Sequence, residues 1–215
     1  MTIAKTTNIV ITGVGGQGNR TLMKIVALAA LENHNEVRVL SSASLGRLGG
    51  PITCHIRLGR SASPSIPTGE GDILVALEMN EALRTLPMMR RGALAFIHTH
   101  RRLPVTAGIR GMSYPSAQEI ERIGMDKAIK SFFVPESLLS LGNTGEEMRF
   151  TQSANVVMLG AFCCYTELLP RVLVEQSLCQ CLPQFAEQNL YAFTIGWQYG
   201  EKLRVQDNPA NDHLQ

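Results

Sequence analysis

Long apolar runs are missing from this chain. No stretch of about 18 or more apolar residues occurs, so no segment reads as a membrane-spanning helix. Charge is sparse and balanced: Asp, Glu, Lys and Arg make up 18% of the 215 residues, and the formal net charge is +2. There is no basic block and no aromatic interleaving of the kind that marks a nucleic-acid face. Cysteine is scarce too. Cys54, Cys163, Cys164, Cys179 and Cys181 form an odd set without framework spacing, which points to reduced thiols and to the cytoplasm. The polar opening Met1–Thr7 runs at once into a strand, leaving no room for a signal peptide. A chain that holds an iron–sulfur cluster usually supplies four thiolates at spacings such as C-x₂-C. An adjacent pair, a C-x-C and a singleton inside apolar runs read instead as buried core thiols, so no electron carrier and no metal is expected on this chain.

What is present suits one α/β domain. Hydrophobic residues reach 45%, enough for a sizeable core. At about 100–200 residues per domain the length allows a single unit. We assign residues 1–203 to it and Arg204–Gln215 to a polar tail. Asn8–Thr12 is a short buried strand, and Arg20–Leu31 carries Leu22, Ile25, Val26 and Ala29 at helical spacing. Glu36–Leu40 is a second strand, so the chain opens as the start of a parallel α/β sheet.

Ile52–Leu58 alternates Ile52, Cys54, Ile56 and Leu58 with Thr53, His55 and Arg57. It therefore buries one face, and with no crossover helix before it the strand is free to run antiparallel to a neighbour. His55 is expected at a surface or an interface. Gly59–Gly71, with Pro64 and Pro67, reads as irregular. Asp72–Leu77 and Ala93–Ile97 are further strands, Val105–Ala107 and Ser131–Val134 weaker ones. Asn80–Met89 is a helix ended or bent by Pro87, and Ala117–Ile123 and Glu136–Leu141 are short helices. Asn155–Leu168 and Arg171–Tyr199 are long apolar helices broken at Pro170 and Pro183. Their Leu178, Leu182, Phe185, Leu190, Phe193 and Trp197 suit either a helical layer on the sheet or a surface that meets a partner.

The most specific local feature is the loop Gly13-Val14-Gly15-Gly16-Gln17-Gly18, a G-x-G-x-x-G between a strand and a helix. Glycines permit positive φ and close backbone approach, and free N–H groups at the helix start favour an anion. A dinucleotide site also needs an acid at the end of the second strand. That strand ends in Leu40-Ser41-Ser42, so ordinary NAD(P) binding is disfavoured. Two readings remain: a surface that contacts a cofactor, or glycines that serve only close packing of helix on strand.

Other candidates are weaker. His98-Thr99-His100 puts two imidazoles on one face of an extended segment, but no third ligand is evident and a solvated strand end is expected. Glu78 and Glu81 follow a buried strand at the edge where open α/β sheets bind ligands, and Glu78 reads as a helix-start residue or a subunit contact rather than a general base. No Ser/His/Asp set, P-loop lysine or paired carboxylates stand out, so nothing here runs a reaction alone.

The segment Asn8–Gly18 resembles the opening of the gamma-type subunit of 2-oxoacid:ferredoxin oxidoreductases, with the indolepyruvate ferredoxin oxidoreductase beta subunit as the closest version. Further similarities follow in order. They are Arg47-Leu48-Gly49-Gly50 leading to His55-Ile56-Arg57, Asp72–Glu78 leading to Glu81-Ala82-Leu83, Asn155 with Leu159-Gly160-Ala161, and Asn189 with Ala192-Phe193 and Gly196. The resemblance implies a three-layer αβα Rossmann-like domain with a mostly parallel, mixed sheet and long C-terminal helices. It implies a hetero-oligomer that oxidatively decarboxylates a 2-oxoacid to an acyl-CoA and passes electrons to ferredoxin. Thiamine diphosphate and iron–sulfur clusters are then held mainly by companion chains, a thiamine-diphosphate-binding subunit first among them, and coenzyme A meets this layer. The residues assigned to cofactor contact are Gly13, Gly15, Gly16, Gln17, Gly18, Asn19, Arg47, Gly49 and Gly50. The chain departs from the family pattern at Leu48, where the family carries Arg, and at His98 and His100, where it carries polar residues other than His. The alternative of another class is a stand-alone Rossmann-like nucleotide- or CoA-binding module.

Overall fold

The computed structural model describes residues 6–33, 36–43, 50–100, 114–141 and 154–207. Six strands form one sheet: β1 (Thr7–Val14), β2 (Val37–Ala43), β3 (Pro51–Leu58), β4 (Gly71–Ala76), β5 (Met89–His98) and β6 (Lys130–Val134), in spatial order β2-β3-β1-β4-β5-β6. β1, β4, β5 and β6 run parallel, and β3 is antiparallel to both β1 and β2. The alternation in β3 sets its register: Ile56 lies opposite Ile9 and Cys54 opposite Ile11, all on one buried face. Val105–Ala107 lies outside the described residues.

Among the described residues the α-helices are α1 (Asn19–Glu32), α2 (Met79–Thr85), α3 (Ala117–Met125), α4 (Ala154–Thr166), α5 (Arg171–Cys181) and α6 (Ala186–Asp207). They make two layers. Ile9, Ile11, Val75, Phe96 and Val134 of the sheet share one core with residues of α1, α4, α5 and α6. Val10, Leu74, Ala76, Ala95 and Ile97 point the other way, into a core completed by α2 and α3. The result is the αβα sandwich with a mixed sheet and long C-terminal helices. Pro87 acts as expected. α2 stops at Thr85 and a 3-10 turn, Leu86–Met88, leads into β5. Glu136–Leu141 is likewise 3-10 rather than α.

Three burial expectations need correction. His55 is buried rather than at the surface, because the strap after β3 folds over the polar face of that strand. Ile66 N–H donates to His55 Nδ1 at 3.0 Å, and Arg57 Nη1 donates to the Ser63 and Ser65 carbonyls at 3.3 and 3.0 Å. Cys179 and Cys181 are half-buried on α5, whereas Cys54, Cys163 and Cys164 are fully inside. His98 is buried rather than solvated.

The C-terminal helices form a layer on the sheet. Every residue of α4 from Asn155 to Cys164 is buried, and Leu178 and Phe193 are fully enclosed while Leu182, Leu190 and Trp197 pack at the margin. Phe185 stays largely exposed. α4 and α6 touch through glycine. A Cβ on Gly160 falls 2.7 Å from Trp197 N, and one on Gly200 falls 2.6 Å from the Ala161 carbonyl. α6 also runs to Asp207, four residues into the stretch read as a tail (204–207). Tyr165 Oη and Lys130 Nζ both bind the Asp207 carboxylate there. Phe96 stacks on Phe132 with ring centroids 5.0 Å apart, tying β5 to β6 beneath α4, an arrangement that contributes about 0.5–1.5 kcal/mol beyond its area.

Candidate functional site: the carboxyl edge of the parallel strands

From β1 the chain passes through α1 to one side of the sheet, and from β4 through α2 to the other. The gap between the carboxyl ends of β1 and β4 is therefore the switch point at which open α/β sheets bind ligands. The glycine loop sits there. Gly18 adopts φ +83° and caps α1 without a side-chain acceptor. Gly16 also has positive φ, at +96°.

Amide side chains stitch this loop shut. Gln17 Oε1 accepts from Val14 N–H at 2.7 Å, and Gln17 Nε2 donates to the Leu77 carbonyl at 3.2 Å, closing the switch point across β1 and β4. Asn19 Nδ2 donates to the Val14 carbonyl at 3.1 Å, and Gly15 N–H donates to the Gly50 carbonyl at 2.9 Å. A Cβ on Gly13 would lie 2.7 Å from both Asn19 Oδ1 and Gln17 Oε1, so any side chain there would push these two amides aside. Three loop amides, those of Val14, Gly15 and Gln17, are thus spent inside the chain, and those of Gly16 and Gly18 have no acceptor among the described residues. The structure brings Gly13, Gly15, Gly16, Gln17, Gly18, Asn19 and Gly50 together. Arg47 and Gly49 lie outside the described residues.

Sequence reasoning did not assign Asn155 to this site. Its amide nitrogen packs against the Cα of Gly18, so a Cβ there overlaps it, and its Oδ1 accepts from Val156 N–H at 3.0 Å. A buried amide opening an otherwise apolar helix was the available signal. Beside the loop, Glu78 is the N-cap of α2, its Oε2 accepting from Glu81 N–H at 2.9 Å, which is the helix-start role read from the sequence. Burial pushes the Glu81 carboxyl above the usual range; Arg84, 3.8 Å away, pulls it back and Glu78 adds to the rise.

His98 and His100 stand at the next strand end. His98 Nδ1 accepts from His100 N–H at 3.4 Å, and His100 Nδ1 meets Glu136 Oε1 at 2.8 Å. Burial, with help from His100, pushes His98 down to about 4, while Glu136 opposes the shift. The unfolded chain therefore binds the extra proton between pH 6.5 and 4, and the His98 contribution to stability is lost as pH falls through that window. A shift of this size corresponds to on the order of 3 kcal/mol. We expect His98→Gln to flatten acid destabilisation between these limits in urea melts at stepped pH; an unchanged slope contradicts it.

The five thiols are spread over β3, α4 and α5. Cys163 is sealed in α4 and burial drives its thiol far up; burial and Glu201 push Cys164 to about 11, with Arg204 pulling back. Among the described residues no three His, Cys, Asp or Glu side chains are grouped to hold a metal. No described helix is long and apolar enough to cross a membrane.

An αβα layer with a glycine loop at the switch point defines a Rossmann-like domain. Known proteins agree. The solved keto/oxoacid ferredoxin oxidoreductase gamma subunit from Geobacter sulfurreducens superposes with a TM-score of 0.64 at 19% identity, covering 91% of this chain and 99% of that one. A 2-oxoglutarate:ferredoxin oxidoreductase from Magnetococcus marinus superposes with a TM-score of 0.67 at 16% identity, over 94% of this chain and 32% of that longer one. These likenesses establish the fold. In sequence, an indolepyruvate oxidoreductase subunit IorB from Archaeoglobus fulgidus is 30% identical over 194 residues, 88% of this chain and 93% of that protein. The corresponding subunit from Pyrococcus horikoshii is 33% identical over 158 residues, 72% of this chain and 75% of that protein. The pyruvate ferredoxin/flavodoxin oxidoreductase profile matches residues 8–199, and the chain belongs to that family. It is a subunit of a 2-oxoacid:ferredoxin oxidoreductase, an oxidoreductase that works as a hetero-oligomer.

Proposed function

We propose that this chain is the gamma-type component of a cytoplasmic complex acting on an aryl 2-oxoacid of the indolepyruvate kind, and that it has no activity alone. A companion subunit holds thiamine diphosphate, iron–sulfur centres lie on other chains, ferredoxin takes the electrons and coenzyme A takes the acyl group. The chain through the end of α6 acts as one domain. The names of the relatives from Archaeoglobus and Pyrococcus support the substrate class.

One observation carries the role of the loop. The switch-point crevice that a dinucleotide enters in stand-alone domains is bridged by Gln17 from Val14 to Leu77. β2 ends in Ser41, Ser42 and Ala43, with Arg20 Nε donating to Ser41 Oγ at 3.2 Å and no acid there to hold a ribose. What the loop still offers is backbone: the Gly16 and Gly18 amides at the start of α1. Those donors suit an anionic group of coenzyme A presented from a neighbouring chain. Gly13, Gly15, Gln17, Asn19 and Gly50 shape that surface.

Native pull-down from the source cell is expected to bring down a thiamine-diphosphate-binding chain with this one; repeated isolation of this protein alone contradicts the reading. Calorimetry of the isolated chain with NAD, NADP, ATP and CoA separates it from a stand-alone binding module. No heat is expected, and micromolar binding favours the module.

A further inference from the structure

The end of β5 carries a group of titratable side chains that the glycine loop does not involve. β5 and β6 are parallel neighbours with His98 opposite Val134, so the residues two positions beyond each, His100 and Glu136, fall side by side at the carboxyl edge. The pairing is braced. Thr99 N–H donates to the Val134 carbonyl at 3.0 Å, and Glu136 N–H donates to Thr99 Oγ1 at 3.1 Å, fixing both backbones before the side chains meet.

The two imidazoles are held in opposite tautomers. An ionised carboxylate only accepts, so the 2.8 Å contact with Glu136 places the proton of His100 on Nδ1 and leaves a lone pair on Nε2. The Nδ1 of His98 accepts a backbone N–H, so its proton is on Nε2. The rings lie 6.0 Å apart at 35°, with His98 buried and the His100 side chain one-third exposed, at 33%. A proton acceptor and a neutral N–H donor therefore stand next to each other. Among the described residues the ionisable or polar groups around them are Glu136, Thr99 and Tyr114, whose hydroxyl donates to the His100 carbonyl at 3.5 Å. A divalent metal is the poorer occupant. His98 would have to give up its tautomer, and no third ligand stands by among the described residues.

We propose that His100, oriented by Glu136, accepts a proton from a hydroxyl or thiol group of a ligand at this edge, with His98 donating a hydrogen bond to the anion left behind. The O–H or S–H bond breaks and its electron pair stays on the oxygen or sulfur. The proton passes to His100 Nε2, and the Glu136 carboxylate stabilises the imidazolium. No oxidant or reductant enters the step. The pairing of a carboxylate, a base and a donor in two different environments is how neighbouring titratable groups divide acid and base roles.

The test has two arms. Nitrogen-15 NMR of the full chain should show His100 as the Nδ1–H tautomer and His98 as the Nε2–H tautomer near pH 7.5, with His100 reverting to the usual Nε2–H majority in Glu136→Ala. In the purified complex, His100→Gln should lower kcat about a hundredfold with KM little changed, and should remove the fall in activity on the acid side of the pH profile. His98→Gln should lower kcat less than His100→Gln does. An Nε2–H tautomer at His100 in the native chain overturns the proposal, as does His100→Gln with native kcat and pH profile, or stoichiometric zinc binding lost in His100→Ala. The spectroscopic arm reads this chain alone, so its failure is distinct from a failure of the subunit reading.

Discussion

Gly196→Val is expected to produce the largest loss of stability of any single substitution in the C-terminal layer. α4 is apolar on every side because the sheet lies under it and α6 lies over it. The two helices come within reach of each other's backbone only because Gly160, Gly196 and Gly200 present no side chain at the crossing. A Cβ on Gly196 lands on the main-chain carbonyl of Val157, and a Cβ on Gly160 lands on that of Phe193. Neither obstacle is a side chain that can rotate away, so the helices must separate along their shared length. Overpacking of an ordinary core site costs about 1–3 kcal/mol, and displacement of a whole helix belongs above that range. We expect a loss of about 4 kcal/mol, which for a chain of this size lowers Tm by roughly 8–16 °C. Gly69→Ala is the control: Gly69 has φ +84° but nothing within 4 Å of its Cβ position, so only backbone strain of about 1–2 kcal/mol applies. Thermal melts followed by circular dichroism decide the matter. A Gly196→Val chain that melts within a degree or two of the native one removes the argument.

The layers, the strand–glycine–helix opening and the antiparallel β3 were legible because each follows from periodicity or from a local absence. The strict alternation from Ile52 to Leu58 needed only one buried face, and the missing crossover helix freed its direction. Pro87 ended α2 by chemistry that acts within a turn. What was not legible depends on partners far away in sequence. His55 looks like a surface residue from its own strand, and only the strap carrying Ile66 buries it. His98 and Glu136 are 38 positions apart, and the parallel pairing of β5 with β6 alone sets them at one edge. The bond from Gly15 to Gly50 joins two motifs that the sequence shows separately, and Asn155 reaches the glycine loop from the far half of the chain. Cys179 and Cys181, read as core thiols from an apolar run, are half-buried because α5 lies at the margin of its layer.

The loop itself yields the second large effect, through Gly18→Ala. Two separate costs meet at that position. The backbone is left-handed at φ +83°, which charges a non-glycine residue about 1–2 kcal/mol. A Cβ also overlaps the Asn155 amide nitrogen, and Asn155 is nearly fully buried, so its side chain has little room to retreat without moving the start of α4. Together these should cost about 3 kcal/mol, lowering Tm by roughly 6–12 °C. The two parts can be separated. In Gly18→Ala/Asn155→Ala the overlap is gone but the strained φ remains, so the double variant should be more stable than the sum of the two single losses by about 1 kcal/mol or more. Additive losses would show that the Asn155 contact carries no energy. The same variants test the function of the surface. If the Gly16 and Gly18 amides meet an anionic group from a neighbouring chain, the complex containing the double variant should recover stability without recovering full activity, because the strained φ at position 18 still turns that amide. Native activity in that complex would leave the glycines as packing residues only, with the ligand contact lying elsewhere along the carboxyl edge.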